Sequence, residues 1–258
     1  MTGAHYVREV QYRTEDNLVA RQSIYVYQKP PVDVWNRSLD LAEMSGDESV
    51  LDVGCGNGAY LRTLARRGHR GMIVGADLSP GMLEAARART GHPRLMVADV
   101  QRIPFRDSSF DVVLAMHMLY HAPDLALAIR ELRRVMRDTG FALVVTNSES
   151  HLKELDALVV AAAGRGLPSN RMTFTLEAGE AELCARFSRV ERHDFAGELL
   201  VTEVQPVLDY VNSMRAFVSS DEDLGAVLEE LGRRTAEIID RDGVFRVHTH
   251  AGCFACRA

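Results

Sequence analysis

The sequence predicts an α/β fold built on a doubly wound, mostly parallel sheet, and three observations predict it. From Ser49 onward, short β-type apolar runs alternate with amphipathic helical stretches. A glycine-rich turn, Gly54-Cys55-Gly56-Asn57-Gly58, follows the first of those runs. Beyond Asp111, the run to Met116 is uninterruptedly apolar, as expected for a strand covered on both faces.

Each element follows in order. Val50 to Val53 reads as the first buried strand, and Tyr60, Leu61, Leu64 and Ala65 mark the helix after the turn. Gly71 to Ala76 is a second strand, Pro80 to Arg89 a second helix, and Arg94 to Ala98 a third strand. Leu125, Ile129, Leu132 and Met136 lie on one face of a helix over 125–136. Arg137 to Gly140 reads as a turn before a strand from Phe141 to Thr146. Such a β-α-β rhythm implies right-handed crossovers and a ligand site beyond the carboxyl ends of the strands.

After Thr146 the rhythm breaks. Helices are expected over 151–163, 181–187, 206–217 and 224–239, with Gly164 to Pro168 forming a loop. Strands are expected over 189–195 and 245–256. The whole chain, 1–258, reads as a single domain: a helical lid over 1–40, a cofactor-binding core over 41–147, and acceptor-side lid insertions over 148–178 and 203–242.

Composition narrows the function. The 258 residues are 47% apolar and 26% charged, in the range of an ordinary globular protein. No apolar run approaches the roughly 18 to 20 residues that cross a bilayer. Met1 to Ala20 is polar and lacks the apolar centre of a secretory leader, so the protein is expected in the cytoplasm without a membrane partner. A net charge of −6 with no basic block argues against a nucleic-acid partner. Arg130, Arg133, Arg134 and Arg137 recur at helical spacing and read as a solvated helix face. Cys253 and Cys256 have no second pair at ligand spacing and lie in an expected strand, so no metal site is assigned. The oligomeric state, monomer or homodimer, does not follow from these residues.

The turn at Gly54, Gly56 and Gly58 lets backbone approach a ligand closely. With Ala59 it also satisfies a dinucleotide fingerprint, so a nicotinamide cofactor stays open at this point. Three carboxylates at strand ends separate the readings. Asp52, two residues before the first glycine, suits a cationic ammonium and would repel a pyrophosphate. Asp77 is placed for two ribose hydroxyls, and Asp99 for an adenine amino group. Taken singly, each aspartate is equally a helix cap or turn residue.

In order and spacing, Val50 to Gly58, Gly75 to Leu83, Ala98-Asp99, Ile103-Pro104-Phe105 and Ser109 to Val113 resemble the successive motifs of class I S-adenosylmethionine-dependent methyltransferases, of the methyltransferase-11-like, small-molecule type. The resemblance covers about residues 48–148. It implies a Rossmann-like seven-stranded sheet with its last strand antiparallel, and S-adenosylmethionine as donor with S-adenosylhomocysteine as product. By family position, Asp52 and the turn Gly54, Cys55, Gly56, Asn57 and Gly58 hold the methionine moiety, and Asp77 the ribose. Leu78 and Met82 cover the adenine face, Asp99 and Val100 meet its edge, and Met116 touches the ligand from the fourth strand.

Acceptor residues are less specified. His117 and His121, four apart after the fourth strand, share a helix face if the turn continues helically, and are candidate catalytic bases. The plainer reading has His117 packing beside the cofactor and His121 capping or hydrogen-bonding the next turn. Tyr27 and Gln28 before the core, and Asn147 and His151 after the fifth strand, are candidate substrate-binding residues, with Ser148 beside them. Glu203, Tyr210 and Met214 are lid candidates. The expected reaction is methyl transfer to an oxygen or nitrogen, less readily a carbon, of a small-molecule acceptor such as a specialised metabolite. The alternatives are an RNA or protein methyltransferase, a non-catalytic cofactor-binding scaffold, and an oxidoreductase.

Overall fold

A computed structural model describes residues 12–90, 94–164, 166, 173–214 and 224–258. In chain order, α1 (Asp16–Ser23) and a 3-10 turn (Ile24–Tyr27) precede β1 (Gln28–Lys29) and α2 (Val34–Asp40). The core follows as β2 (Val50–Val53), α3 (Ala59–Arg66), β3 (Ile73–Asp77), α4 (Pro80–Thr90), β4 (Leu95–Val97) and β5 (Phe110–Met116). A second 3-10 turn (Leu119–His121), α5 (Leu125–Val135) and β6 (Met136–Asn147) complete it. Beyond lie α6 (Lys153–Ala163), α7 (Leu176–Cys184), β7 (Arg189–Val201), α8 (Gln205–Asn212), α9 (Leu224–Asp242) and β8 (Phe245–Arg257). Part of the loop expected at 164–168 and the end of the helix expected at 206–217 lie outside the described residues.

The strands form one sheet in the order β1-β7-β8-β6-β5-β2-β3-β4. Strands β2 to β6 run parallel to one another, whereas β8 is antiparallel to both β6 and β7. Eight strands replace the seven that the family resemblance implies. The extra one, β1, pairs Gln28 with Leu199 and Lys29 with Glu198 at the sheet edge. A two-residue strand has no periodicity from which it could be read.

Alternation distributes the core between the faces. Leu51, Val113, Ala115 and Val144 pack on one side with Ile129 and Leu132 of α5. Val50, Val112, Leu114 and Val145 pack on the other with Leu61 and Leu64 of α3. Full burial of each such large aliphatic side chain contributes about 1.5–3 kcal/mol. Helix α5 begins where Asp124 accepts the Leu127 amide at 2.9 Å, which caps an otherwise unpaired first-turn donor.

A third cluster lies under the added segments. Ile24, Leu155 of α6, Tyr210 and Val211 of α8, Leu231 of α9, and Leu199 and Val247 of the long β7–β8 pair meet there. The N-terminal stretch and both insertions therefore share one apolar core.

Two local expectations are corrected. Arg137 to Gly140 is not a free turn but the first part of β6, where Met136 pairs with Phe110 across a register shift. The Arg137 guanidinium is held 2.5 Å from Asp111, which also accepts from the Ser49 amide at 2.8 Å. Asp111 thus sits at the amino end of β5, away from the glycine turn, and is a structural part of its motif. His117 and His121 do not share a helix face: His117 has φ 55°, and the helical turn covers only 119–121.

Candidate functional site

The turn after β2 is built around three left-handed glycines, with φ 69° at Gly54, 54° at Gly56 and 78° at Gly58. The Gly54 and Cys55 amides both donate to the Ala76 carbonyl, at 2.7 and 3.0 Å, tying the turn to the end of β3. A Cβ at Gly54 would come within 2.7 Å of the Met118 Cβ, so a larger residue is excluded by packing as well as by backbone conformation.

Two carboxylates stand beside this turn. Asp77 accepts the Gly56 amide on one oxygen at 2.9 Å and the Ser79 amide on the other at 2.8 Å. Burial raises its pKa, and those amides oppose the rise. Asp52 is fully buried, and neither oxygen has a hydrogen-bond partner among the described residues. Burial, with the neighbouring Asp77, holds the Asp52 carboxyl well above the usual carboxylate range. A buried polar group left without partners costs free energy, and an isolated charge costs far more. The vacancy of partners at Asp52 fits the ammonium of an amino-acid-bearing ligand.

The other expected cofactor residues line the same strand ends. Met82 is buried at the start of α4, its amide donating to Ser79 Oγ at 3.3 Å, and Leu78 precedes that helix. Asp99 accepts the Gln101 amide at 2.9 Å in a tight turn, with Val100 buried behind it. Asn57 is buried and donates to Glu15 at 3.1 Å, and Cys55 and Met116 are buried too.

That Glu15 contact reveals what sequence reasoning missed. The segment from Tyr12 to Arg21 packs beside the glycine turn and the start of α4. The Tyr12 carbonyl accepts from Ser79 Oγ at 2.7 Å, Glu15 also pairs with Arg89 at 2.7 Å, and Leu18 lies 3.7 Å from where a Gly56 Cβ would stand. Glu15, Leu18, Arg21 and Tyr25 recur at helical spacing, a one-face stripe that could have been read.

Beyond the turn the structure gathers a cluster of tyrosines and histidines. Tyr12 Oη is 3.2 Å from His121 Nε2, and the Tyr120 ring meets the His121 ring edge-on at 4.5 Å. Arg21 lies over the Tyr12 ring at 5.3 Å. On the far side, Tyr25 Oη is 2.8 Å from His151 Nε2. The backbone amide of His250 donates to His151 Nδ1 at 3.0 Å. An amide can only donate, so Nδ1 is unprotonated and, in the neutral ring, Nε2 carries the proton donated to Tyr25. Burial lowers the pKa of His117 and His121 to about 4 and of His151 to about 3, with the Arg21 charge adding to the effect at His121. All three rings are therefore neutral at neutral pH and only weakly basic.

Other expected acceptor residues lie apart. Gln28 is buried in β1, its amide donating to Thr249 at 3.1 Å, and Tyr27 lies beside Glu203. Asn147 ends β6 opposite Ala251, and Ser148 bonds to Glu177 at 2.6 Å. Tyr210 and Met214 belong to the third apolar cluster. Cys253 and Cys256 are buried free thiols in β8, and among the described residues no group of three or more side chains could hold a metal ion.

Comparison with known proteins agrees with this geometry. Residues 51–144 match the family model described as a methyltransferase domain. A malonyl-[acyl-carrier protein] O-methyltransferase of Serratia marcescens is 34% identical over 123 residues, 48% of either chain. A demethylmenaquinone methyltransferase of Staphylococcus aureus is 31% identical over 125 residues, 46% of this chain and 52% of its own. The chain thus spans about half the length of these curated relatives. An N-methyltransferase of Haemonchus contortus, solved with phosphomonomethylethanolamine and S-adenosylhomocysteine, matches all of this chain and 60% of its own at 18% identity, with a TM-score of 0.60. Strand order, glycine turn and strand-end aspartates agree with that likeness, so residues 51–144 are similar to a methyltransferase domain on a Rossmann-like sheet.

Proposed function

We propose that this protein is an enzyme that binds S-adenosylmethionine and transfers its methyl group to an oxygen or nitrogen, less readily a carbon, of a small-molecule acceptor in the cytoplasm. The observation that carries the reading is the buried Asp52 carboxyl, without a hydrogen-bond partner among the described residues, beside the glycine turn. In this reading Asp52 and residues 54–58 hold the methionine end, and Asp77 the ribose. Leu78, Met82, Asp99 and Val100 hold the adenine, and Met116 lies against the ligand.

When bound, the donor supplies a methyl group already activated on a sulfonium and leaves as S-adenosylhomocysteine. The chain's own task is then proximity and exclusion of water, so that the acceptor meets the methyl carbon in line. The segments 1–40, 148–178 and 203–242 act as the lid. Tyr27, Gln28, Asn147 and His151 are its substrate-side candidates, although Gln28 already serves Thr249.

His121 and His117 are the catalytic candidates. With pKa values lowered to about 4 by burial, both rings are uncharged at neutral pH, each with one nitrogen free to accept a proton, but they are poor bases. That favours an acceptor that needs no strong base, such as a carboxylate oxygen or an unprotonated amine. The O-methyltransferase among the relatives supports an oxygen acceptor, and a specialised metabolite is one fitting class.

Titration calorimetry with S-adenosylhomocysteine and with NAD tests the donor, and binding of NAD alone would sink the proposal. Release of S-adenosylhomocysteine with a panel of small acids and amines then tests turnover. Binding without turnover on any acceptor favours a non-catalytic scaffold. Turnover only on RNA or protein would replace the small-molecule reading.

A further inference from the structure

Buried titratable groups without hydrogen-bond partners among the described residues include the Asp52 carboxyl, at both oxygens, and Arg21, at both terminal guanidinium nitrogens. A neutral Asp52 carboxyl offers the guanidinium no countercharge, and neither group bonds to the other. Arg21 lies nearly one helical turn beyond Leu18, which covers the Gly56 turn. Its guanidinium rests on the Tyr12 ring, and its charge acts on Tyr25, Tyr120, Tyr210 and His121. The ring face offers a cation some compensation, but it leaves the N–H donors without oxygen acceptors. His121, on which its charge acts, is held neutral by burial. Burying a guanidinium in this state opposes folding, and a ligand carboxylate would match its planar fork.

We infer that Arg21 is a receptor for a carboxylate that a ligand brings to this site. The inference rests on the methyl-transfer reading and deepens it. The carboxylate belongs either to the amino-acid end of the donor, with Asp52 taking the ammonium, or to an acidic acceptor.

The test compares wild type with Arg21→Gln and Arg21→Lys by titration calorimetry, using S-adenosylhomocysteine and its decarboxylated analogue. If the donor supplies the carboxylate, Arg21→Gln weakens S-adenosylhomocysteine binding roughly ten- to a hundredfold, as expected for charged hydrogen bonds. The analogue then binds wild type and variant alike, and Arg21→Lys recovers only part of the loss. If the acceptor supplies it, S-adenosylhomocysteine affinity is unchanged. Wild type saturated with S-adenosylhomocysteine then binds acetate or benzoate in preference to acetamide or benzamide, and Arg21→Gln abolishes the preference. Either pattern supports the receptor.

It is overturned if the variant binds S-adenosylhomocysteine normally and wild type does not distinguish acids from amides. Thermal melting guards against a purely structural role. Loss of a partnerless buried cation should leave the melting temperature of the ligand-free protein equal or higher, whereas a fall of several degrees with unchanged binding overturns the inference. If wild type binds neither S-adenosylhomocysteine nor its analogue, the donor reading fails separately, and the acid-against-amide comparison still judges Arg21.

Discussion

At the scale of single residues, Asp52 carries the most specific consequence. Its carboxyl is buried without hydrogen-bond partners among the described residues, and burial beside Asp77 raises its pKa well above the usual range, which favours the protonated form in the ligand-free protein. An ammonium brought against it favours the ionised form, and the proton must leave. Binding of S-adenosylhomocysteine at neutral pH is therefore expected to release a proton to the buffer. Calorimetry in two buffers of different ionisation enthalpy measures it directly. Asp52→Asn should abolish the release and weaken binding by about 1–3 kcal/mol. Equal heats in both buffers for wild type would remove the ammonium contact from the proposal. Position and residue type of Asp52 were legible in the sequence, because a strand end before a glycine turn is a local pattern. Its lack of partners was not, since that depends on every chain segment packed around it.

At the scale of elements, the parallel core was legible because periodicity and turn residues are local signals. What escaped was the product of tertiary convergence. The Tyr12–Arg21 segment shows a one-face stripe in sequence, but its docking partners are set by single atoms, such as the Tyr12 carbonyl on Ser79, that no local pattern reveals. The histidine pair was misjudged because His117 takes a left-handed backbone that propensity does not foretell. Gly81 offers a way to lift this segment without touching the glycine turn. A Cβ there would lie 1.9 Å from the Arg13 carbonyl oxygen, whereas alanine inside α4 is itself favoured over glycine by about 1 kcal/mol. Gly81→Ala should leave the urea midpoint of the core within about 1 kcal/mol of wild type. Limited proteolysis should then cut the N-terminal segment faster, and S-adenosylhomocysteine should bind more weakly. Unchanged proteolysis and binding would mean that the segment does not close the site.

At the scale of the whole molecule, the buried titratable groups set an opposed pH dependence. His117, His121 and His151 are neutral when folded, with pKa lowered by burial to about 4, 4 and 3. The unfolded chain protonates them below about pH 6.5. Between their folded values and 6.5 the unfolded state binds more protons, so these groups make stability rise with pH and are spent above that window. Asp52 and Asp77 act with the other sign. Their folded pKa values are raised, whereas the unfolded carboxyls ionise near pH 4, so each lowers stability as pH rises, up to its own folded value. At pH 5 the three histidines are nearly protonated in the unfolded chain and largely neutral in the folded one, which outweighs the two carboxyls, so stability still rises with pH there. Above pH 7 the histidine contribution is gone, and Asp52 lowers stability until the pH passes its own raised folded value. The ligand-free protein should therefore be most stable at roughly pH 6–7, with lower urea midpoints at both pH 5 and pH 8. Asp52→Asn should flatten the alkaline side alone, and saturating S-adenosylhomocysteine should do the same by pairing the ionised carboxylate. A midpoint that climbs steadily from pH 5 to pH 8 in the wild type would mean that Asp52 is already ionised in the free protein and has a partner.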